Sequence, residues 1–298
     1  MMRATPWQRA MGEFAELSGP GKGPGSVAGP AAYAIDKSRL PAHLREAVVE
    51  LAADEACVRF LEAAQDGALK ELLCGATAAL LHLCLTLPDL NAKLRRGEMW
   101  VISQAQARLL LGGPFQRLID VGAGDGAVTA QLAPLAREVL TTEASGPMAA
   151  RLRQQGHACL QTPLPAAGFT YDLVTCLNVL DRTERPLSLL RRLRELLTPS
   201  GVLLVGVVVP WRPAVLRRAG RSASPSEALP AAVREAASFE QSAAALAAAV
   251  FEPLGFHVRR VSRVPYLSRG GARGVVALDD ALFVLTRDGT KAVLPSSS

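Results

Sequence analysis

The apolar positions in the first third of the chain follow a helical repeat. Residues 1–30 are rich in Gly, Pro, Ser and Ala without a regular apolar pattern, which is typical of a flexible tail. Between residues 40 and 87, apolar residues recur every three or four positions, at Leu44, Val48, Leu51, Val58, Leu61 and Leu69. This spacing predicts a helical N-terminal cap that ends at Pro88. We expect a short extended piece over residues 97–102 and a helix over residues 104–111 to follow.

Beyond residue 113 the pattern changes to short apolar runs that alternate with amphipathic stretches. The runs predict strands over residues 117–121, 138–142, 171–177, 202–209, 257–264 and 281–286. The stretches between them predict helices over residues 128–136, 147–155, 186–197 and 230–250. The run at 202–209 is apolar throughout, as expected for a strand that is buried on both faces. This alternation predicts an α/β fold with a largely parallel sheet.

Composition narrows the classes of function. Hydrophobic residues make up 49% of the chain and charged residues 20%, which is a globular balance. The net charge is +6, but aromatic residues are only 5% and do not interleave with the arginines, so we expect no nucleic-acid partner. The cysteines are scattered and form no pair with metal-binding spacing, so we expect no metal site and no disulfide framework. They are Cys57, Cys74, Cys84, Cys159 and Cys176.

One uncharged stretch resembles a membrane span in composition but not in length. Residues 72–88 carry no charge, yet the stretch is 17 residues long and ends at Pro88. A span needs about 20 apolar residues, so a buried helix is the better interpretation and we expect no stable membrane insertion. The first residues contain Arg3 and Arg9 but no continuous apolar segment of a secretory signal. These features favour a cytoplasmic location.

A glycine-rich loop follows the first predicted strand and precedes a helix. It reads Asp-Val-Gly-Ala-Gly-Asp-Gly over residues 120–126, and Gly122 and Gly124 let the backbone turn sharply and approach a ligand closely. In an open α/β sheet, ligands bind at the carboxyl ends of the strands, where this loop emerges. Glu143 closes the next strand, 23 residues after Asp120, where a carboxylate can accept both ribose hydroxyls of an adenosine.

Two nucleotide-type cofactors compete for such a loop. Dinucleotide loops read G-x-G-x-x-G or G-x-G-x-x-A, and Ala127 is compatible with the second form. Asp120, however, suits the positively charged amino-acid end of S-adenosylmethionine and would repel a pyrophosphate. We therefore predict S-adenosylmethionine as the cofactor.

A second polar turn follows the predicted strand at residues 171–177. Asn178 there offers both a hydrogen-bond donor and an acceptor, and Asp181 lies on the following turn. The end of this strand is where a catalytic or substrate-positioning group would lie in this architecture. Asp181 could equally cap the helix that begins near Pro186.

At these segments the chain resembles the DREV methyltransferases, the protein-L-histidine N-pros-methyltransferase family. The resemblance covers roughly residues 33–288. Its segments are residues 118–129, 142–145, 176–182, 185–187, 264–267 and 278–285. The last three segments, 176–182 with 185–187 after it, 264–267 and 278–285, are specific to that family.

The resemblance implies a Rossmann-like, seven-stranded class I methyltransferase sheet with an N-terminal helical cap. The domains would be a tail at 1–30, the cap at 31–112, the S-adenosylmethionine-dependent methyltransferase domain at 113–288 and a tail at 289–298. By position, Glu143, Asn178 and Tyr266 would contact the cofactor above the loop that holds Asp120, Gly122 and Gly124. Asp181 and Asn178 would be catalytic, with Asp181 facing a substrate histidine in a protein His-x-His segment in which x is small.

The chain departs from the family pattern over residues 268–277. The family has acidic and aromatic residues there, whereas this chain has a basic, glycine-rich stretch. A different methyl acceptor and a catalytically silent binding module therefore remain as alternatives. The family resemblance also leaves the endoplasmic reticulum or mitochondria open as locations.

Overall fold

The computed structural model describes residues 32–65, 89, 98–166, 168–216, 222–269 and 275–287. The strands are β1 (Met99–Trp100), β2 (Phe115–Val121), β3 (Ala136–Thr142), β4 (Ala158–Leu160), β5 (Tyr171–Leu177), β6 (Leu197–Val208), β7 (Val215–Leu216), β8 (Ser222–Ala223), β9 (Phe256–Arg269) and β10 (Val275–Arg287). The helices are α1 (Ala42–Ala47), α2 (Glu55–Gln65), α3 (Gln104–Leu111), α4 (Ala127–Leu132), α5 (Gly146–Gln154), α6 (Pro186–Glu195), α7 (Ala231–Arg234) and α8 (Phe239–Leu246). Single helical turns cover Lys37–Arg39, Ala133–Leu135, Leu180–Arg182 and Glu252–Leu254, and a π-helical turn covers Ala247–Phe251.

A single mixed sheet organises these elements. Its strand order is β1-β9-β10-β6-β5-β2-β3-β4, while β7 and β8 form a separate small hairpin. Strands β4, β3, β2, β5 and β6 run parallel, and β10, β9 and β1 add to the β6 side in antiparallel pairs. This confirms the α/β, Rossmann-like prediction, and the parallel strands bring all their carboxyl ends to one edge.

The expected number of strands was one too low. The described residues form an eight-stranded sheet because β1 pairs with the far end of β9, Trp100 opposite Leu267 and Met99 opposite Ser268. Strand β9 continues to Arg269, beyond its predicted end at residue 264, and so offers an open edge to this short strand.

The sheet is buried on both faces, which explains its apolar sequence. Leu203 and Leu204 are neighbours on β6, and both are fully buried in separate apolar clusters on opposite faces. Because successive side chains of a strand point to opposite faces, a strand between two helical layers needs apolar residues at every position. The run at 202–209 is therefore continuous rather than alternating.

The N-terminal cap contains less helix than its apolar repeat predicts. Residues 48–54 separate α1 from α2, because Val48 forms a parallel bridge with Val261 of β9 and the Val49 amide donates to the Val261 carbonyl at 2.9 Å. Asp54 then begins α2 by accepting the amide of Cys57 at 3.0 Å. The predicted helix beyond residue 65, with its uncharged stretch at 72–88, lies outside the described residues. In the described part of the chain, no helix is long and apolar enough to cross a membrane.

Two further elements differ from the sequence-based expectation. Strand β4 was not predicted, since three residues at the sheet edge are too short to show a period. The single helix expected over residues 230–250 is instead α7, α8 and a π-helical turn. Ser238 explains the break, because its side chain accepts the Gln241 amide at 3.2 Å and starts α8 afresh.

Candidate active site

The glycine loop leaves β2 and enters α4 with three residues in the left-handed region. Gly122, Gly124 and Gly126 have φ angles of 75°, 57° and 83°. A Cβ atom on Gly122 would lie 2.7 Å from Val179 Cγ2, and one on Gly124 would lie 2.9 Å from Met99 Cε. Conformation favours glycine at both positions, and at Gly122 space requires it as well, so the loop lies directly against the residues that follow β5.

Asp120 lies beneath this loop and bonds within the protein. Its buried carboxylate accepts the hydroxyl of Thr129 at 2.5 Å and that of Thr175 at 2.7 Å. Burial raises the pKa of Asp120, and the two threonine hydroxyls oppose the shift. Asp120 thus joins β2, α4 and β5 below the loop, while its contact with a cofactor stays a prediction.

Glu143 follows β3 and points toward the loop. Its carboxylate accepts the Gly124 amide at 3.0 Å and the Ser145 amide at 2.8 Å. Burial raises the pKa of Glu143, and these backbone donors oppose the shift. A half-buried carboxylate is therefore fixed beside the glycine backbone, while its contact with a cofactor stays a prediction.

Asn178 adopts an unusual backbone conformation at the end of β5. Its φ of 56° is the one left-handed value among the non-glycine residues that the structure describes. Its amide Nδ2 donates to Asp280 Oδ1 at 3.0 Å across the sheet, while its own Oδ1 is buried without a partner in the described part of the chain. A backbone strain of this kind costs about 1–3 kcal/mol and is typical of functional sites.

Asp181 lies one turn further on and is also buried. Its Oδ2 is 3.7 Å from Arg182 Nε, whereas its Oδ1 meets no hydrogen-bond donor among the described residues. Burial raises the pKa of Asp181, and the charge of Arg182 opposes the shift. The Asp181 carbonyl accepts the Ala214 amide at 2.8 Å, which holds the turn in place. The side chain does not cap α6, since Arg185 is the residue before that helix.

Tyr266 of β9 is buried and contacts the edge strand. Its hydroxyl donates to Met99 Sδ at 2.8 Å. Burial raises the pKa of Tyr266 to about 12; the carboxylates of Asp181 and Asp280 add to the shift, and Arg182 opposes it. Tyr266 therefore shares an electrostatic environment with the Asn178–Asp181 turn, although 85 residues separate it from Asp181 in sequence.

Three residues of this site were not predicted from the sequence. Asp125 accepts the Ala127 amide through Oδ1 at 3.1 Å, its Oδ2 has no partner in the described ranges, and burial raises its pKa to about 6. Asp280 is fully buried, and burial raises its pKa well above the ordinary value. Both lie in segments that the sequence had singled out, the loop and residues 278–285. Met99 carried no signal, because only the pairing of β1 with β9 brings it to the loop.

The site as a whole is rich in buried oxygen atoms without partners. Of the five described residues with such an atom, four belong to this site, namely Asp125, Asn178, Asp181 and Asp280, and the fifth is Thr286 near the far end of β10. A buried carboxylate without a partner is costly, and polar groups left in this state mark places where a ligand completes the hydrogen bonds. Acceptor oxygens in this number suit a ligand that is cationic or carries N–H donors. The described residues contain no group of side chains that could hold a metal ion.

Comparison with known proteins decides the family. The model of the DREV methyltransferase family matches residues 32–287, which include every residue of this site. The chain belongs to the DREV methyltransferase family. The resemblance seen in the sequence is thereby confirmed at the level of the family. The loop backbone, the fixed Glu143 carboxylate and the unpartnered oxygens of the site fit a cofactor with ribose hydroxyls and positive charges.

The curated relatives match a shorter segment of the chain than the family model does. A ubiquinone biosynthesis O-methyltransferase of Cereibacter sphaeroides is 31% identical over 102 residues, which are 30% of this chain and 41% of that protein. A mitochondrial ubiquinone biosynthesis O-methyltransferase of Schizosaccharomyces pombe is 29% identical over 109 residues, 31% of this chain and 38% of that protein. The DREV chain therefore spans less than half the length of either relative.

Two solved structures are also similar. The N-methyltransferase NodS from Bradyrhizobium japonicum WM9, in complex with S-adenosyl-L-homocysteine, is 16% identical with a TM-score of 0.40, covering 62% of this chain and 85% of that one. The DhpI–SAH complex is 19% identical with a TM-score of 0.41, covering 63% of this chain and 84% of that one.

Proposed function

We propose that this DREV family member methylates the pros nitrogen of histidine in His-x-His segments of proteins. The observation that supports it best is the carboxylate of Asp181, which is buried at the end of β5 with one oxygen unpartnered among the described residues. The ring of a neutral histidine carries one N–H donor and one lone pair. The unpartnered oxygen of Asp181 can accept a hydrogen bond from that N–H group. The histidine acceptor itself is what the family-specific segments imply.

The cofactor would be held by the loop and its neighbours. When bound, S-adenosylmethionine supplies an electrophilic methyl group on a sulfonium. The Glu143 carboxylate keeps acceptor capacity beyond its two backbone donors and would take the ribose hydroxyls. The Gly122 and Gly124 backbone would lie beneath the cofactor, and Asn178 and Tyr266 would border it. Asp120 would act by holding the loop from below and through its negative charge.

Asp181 would select the reactive form of the substrate ring. A histidine with an ordinary pKa of about 6.5 is mostly neutral near pH 7, so the enzyme has to orient it rather than deprotonate it. If Asp181 accepts the N–H of the tele nitrogen, the lone pair lies on the pros nitrogen. When the new N–C bond forms and the S–C bond breaks, the ring becomes positive, and the adjacent carboxylate stabilises that charge. Alignment of the ring with the methyl group supplies most of the remaining rate acceleration.

Methyl transfer to a different acceptor is the second candidate. The stretch at 268–277 is basic and glycine-rich in this chain, so a substrate-gripping loop there would carry the opposite charge to that of the family. The relatives from Cereibacter sphaeroides and Schizosaccharomyces pombe are O-methyltransferases by name. A substrate oxygen atom is therefore one alternative to histidine as the methyl acceptor.

One experiment separates these candidates. The protein is incubated with methyl-labelled S-adenosylmethionine and a His-Ala-His peptide, with an Ala-Ala-Ala version of the same peptide as control. We expect label only in the first peptide, and fragment analysis should place it on the pros nitrogen. Label in neither peptide, together with cofactor binding by calorimetry, would contradict the histidine proposal and favour another acceptor. Absence of cofactor binding as well would favour a silent binding module.

A further inference from the structure

Among the described residues, the Asn178 carboxamide has a single hydrogen-bond partner, which lies far away in sequence. Nδ2 of Asn178 donates to Asp280 Oδ1 at 3.0 Å, and 102 residues separate the two. Both side chains are at least nine-tenths buried. The two polar atoms of a carboxamide point in different directions from one carbon, so fixing the nitrogen also fixes the oxygen.

We propose that Asp280 is a positioning residue that turns the amide oxygen of Asn178 toward the methyl-transfer site. Oδ1 of Asp280 accepts the hydrogen bond from Nδ2 of Asn178 in the ionised carboxylate, and also in the neutral carboxyl group when the proton lies on Oδ2. The Asn178 oxygen is left without a partner in the described structure, as is Oδ1 of Asp181 on the next turn. In this proposal the two oxygens are acceptors for the same ligand.

Space for this arrangement comes from Gly206 on β6. A Cβ atom on Gly206 would lie 3.2 Å from Asp280 Oδ2 and 3.1 Å from Leu177 Cδ2. The Gly206 carbonyl also accepts the Asn178 backbone amide at 3.0 Å, which fixes the strained residue at its main chain. The backbone of β6 and the side chain of β10 therefore hold Asn178 at both ends. The amide orientation follows from the sheet and is present before any ligand binds.

This orientation of the Asn178 amide makes the site prefer ligand groups that donate hydrogen bonds. When its oxygen faces the methyl-transfer site, the Asn178 carboxamide attracts N–H groups and the polarised C–H groups of a cation. In the proposed reaction, the histidine ring carries the N–H group and the sulfonium carries the C–H groups. With the amide reversed, it would present a donor to the same groups and repel them. Asp280 would thus raise the rate of methyl transfer without touching the reacting atoms, a role that rests on the proposed function for its kinetic readout.

The sequence offers a direct spectroscopic test. The chain contains only two asparagines, Asn91 and Asn178, so protein labelled with ¹⁵N-asparagine shows two side-chain amide pairs, and an Asn91→Ser variant assigns them. We expect slow hydrogen exchange and a downfield shift for the Asn178 amide in the cofactor-free protein. These features should persist in Asp280→Asn, which keeps an acceptor, and disappear in Asp280→Leu. An unchanged Asn178 signal in Asp280→Leu overturns the proposal even if no peptide is ever methylated.

Kinetics with the His-Ala-His peptide provides the second readout. Because a misplaced group can cost about 100-fold, we expect kcat of Asp280→Leu to fall about 100-fold with the KM for the peptide little changed. Asp280→Asn should stay close to the parent. Asp279→Leu is the matched control on β10, since Asp279 pairs with Arg263 instead. Equal losses of kcat in the two variants, with the Asn178 amide still protected in Asp280→Asn, would show that the charge matters rather than the amide orientation, and would also overturn the proposal. Should Asp280→Leu fail to fold, Asp280→Asn decides: a protected Asn178 amide with a parent-like kcat supports the proposal, and a protected amide with a lowered kcat overturns it.

Discussion

At the scale of the single residue, Asp181 is expected to act only as an ionised carboxylate. Replacement by Asn leaves a side chain of the same shape that presents either an oxygen without charge or a donor. We expect Asp181→Asn to lower kcat at least about 100-fold, the size of effect seen when one pre-oriented electrostatic group is lost. Cofactor affinity measured by calorimetry should stay normal. Asp172→Asn, on the same strand, is the control, because its carboxylate accepts the Arg117 backbone amide and the Thr198 hydroxyl at the other end of β5.

The same residue gives the reaction a defined pH dependence. Burial raises the pKa of Asp181, so the active, ionised form is lost as pH falls through that raised value. The substrate histidine also becomes protonated at acid pH and loses its lone pair. We expect kcat/KM to fall on the acid side with contributions from both groups, and Asp181→Asn to retain the histidine contribution alone. Identical acid limbs in the two proteins would contradict this role.

At the scale of the element, the glycine loop and the turn after β5 form one unit. Gly122 and Gly156 both have positive φ, 75° and 90°, but a Cβ on Gly122 would meet Val179 at 2.7 Å whereas one on Gly156 would meet nothing within 4 Å. Alanine at either position costs about 1 kcal/mol in backbone conformation. Only Gly122→Ala also displaces Val179, beside Asn178. We therefore expect Gly122→Ala to abolish cofactor binding in calorimetry and Gly156→Ala to retain it; loss in both would attribute the effect to backbone strain alone.

The edge strand β1 closes the site through Met99. The Arg269 amide donates to the Glu98 carbonyl at 2.8 Å, and the side chains of these two residues form an ion pair at 2.5 Å. These contacts fix β1 to β9. Met99→Ala removes the contact with Gly124 and leaves the buried Tyr266 hydroxyl without its acceptor, which costs about 1–3 kcal/mol. We expect the free energy of unfolding, measured by denaturant titration, to fall by about the same amount. Val58→Ala, at an exposed position on α2, should leave the free energy of unfolding nearly unchanged.

The same elements show what the sequence could and could not predict. Strands such as β5 were placed to the residue, because an apolar run between polar boundaries reports burial directly. Asp120 lies near the end of β2, and Glu143 and Asn178 follow β3 and β5, so their proximity was predictable from the alternation of strands and helices. Met99 and Asp280 were missed, since each reaches the site from an antiparallel strand through pairings that no local pattern encodes.

At the scale of the whole molecule, stability and cofactor binding are expected to oppose each other at Asp125. Burial raises its pKa from 3.8 to about 6 in the folded protein. Because the folded value is the higher one, the folded state binds the proton more tightly, and this contribution to stability is present at low pH and lost as pH rises through about 6. Above that range the ionised carboxylate destabilises the cofactor-free protein by about 3 kcal/mol.

Asp125→Asn should therefore stabilise the cofactor-free protein while weakening its cofactor site. The amide oxygen can still accept the Ala127 amide, so only the charge is removed. We expect Tm at pH 7.5 to rise by several degrees relative to the parent and the difference to vanish near pH 4, measured by calorimetric scans at both values. Cofactor affinity should fall in the same variant, because the carboxylate oxygen left unpartnered among the described residues would no longer be charged. An equal Tm at both pH values would show that Asp125 is not held as an unfavourable charge, and unchanged affinity would place that charge outside the cofactor site.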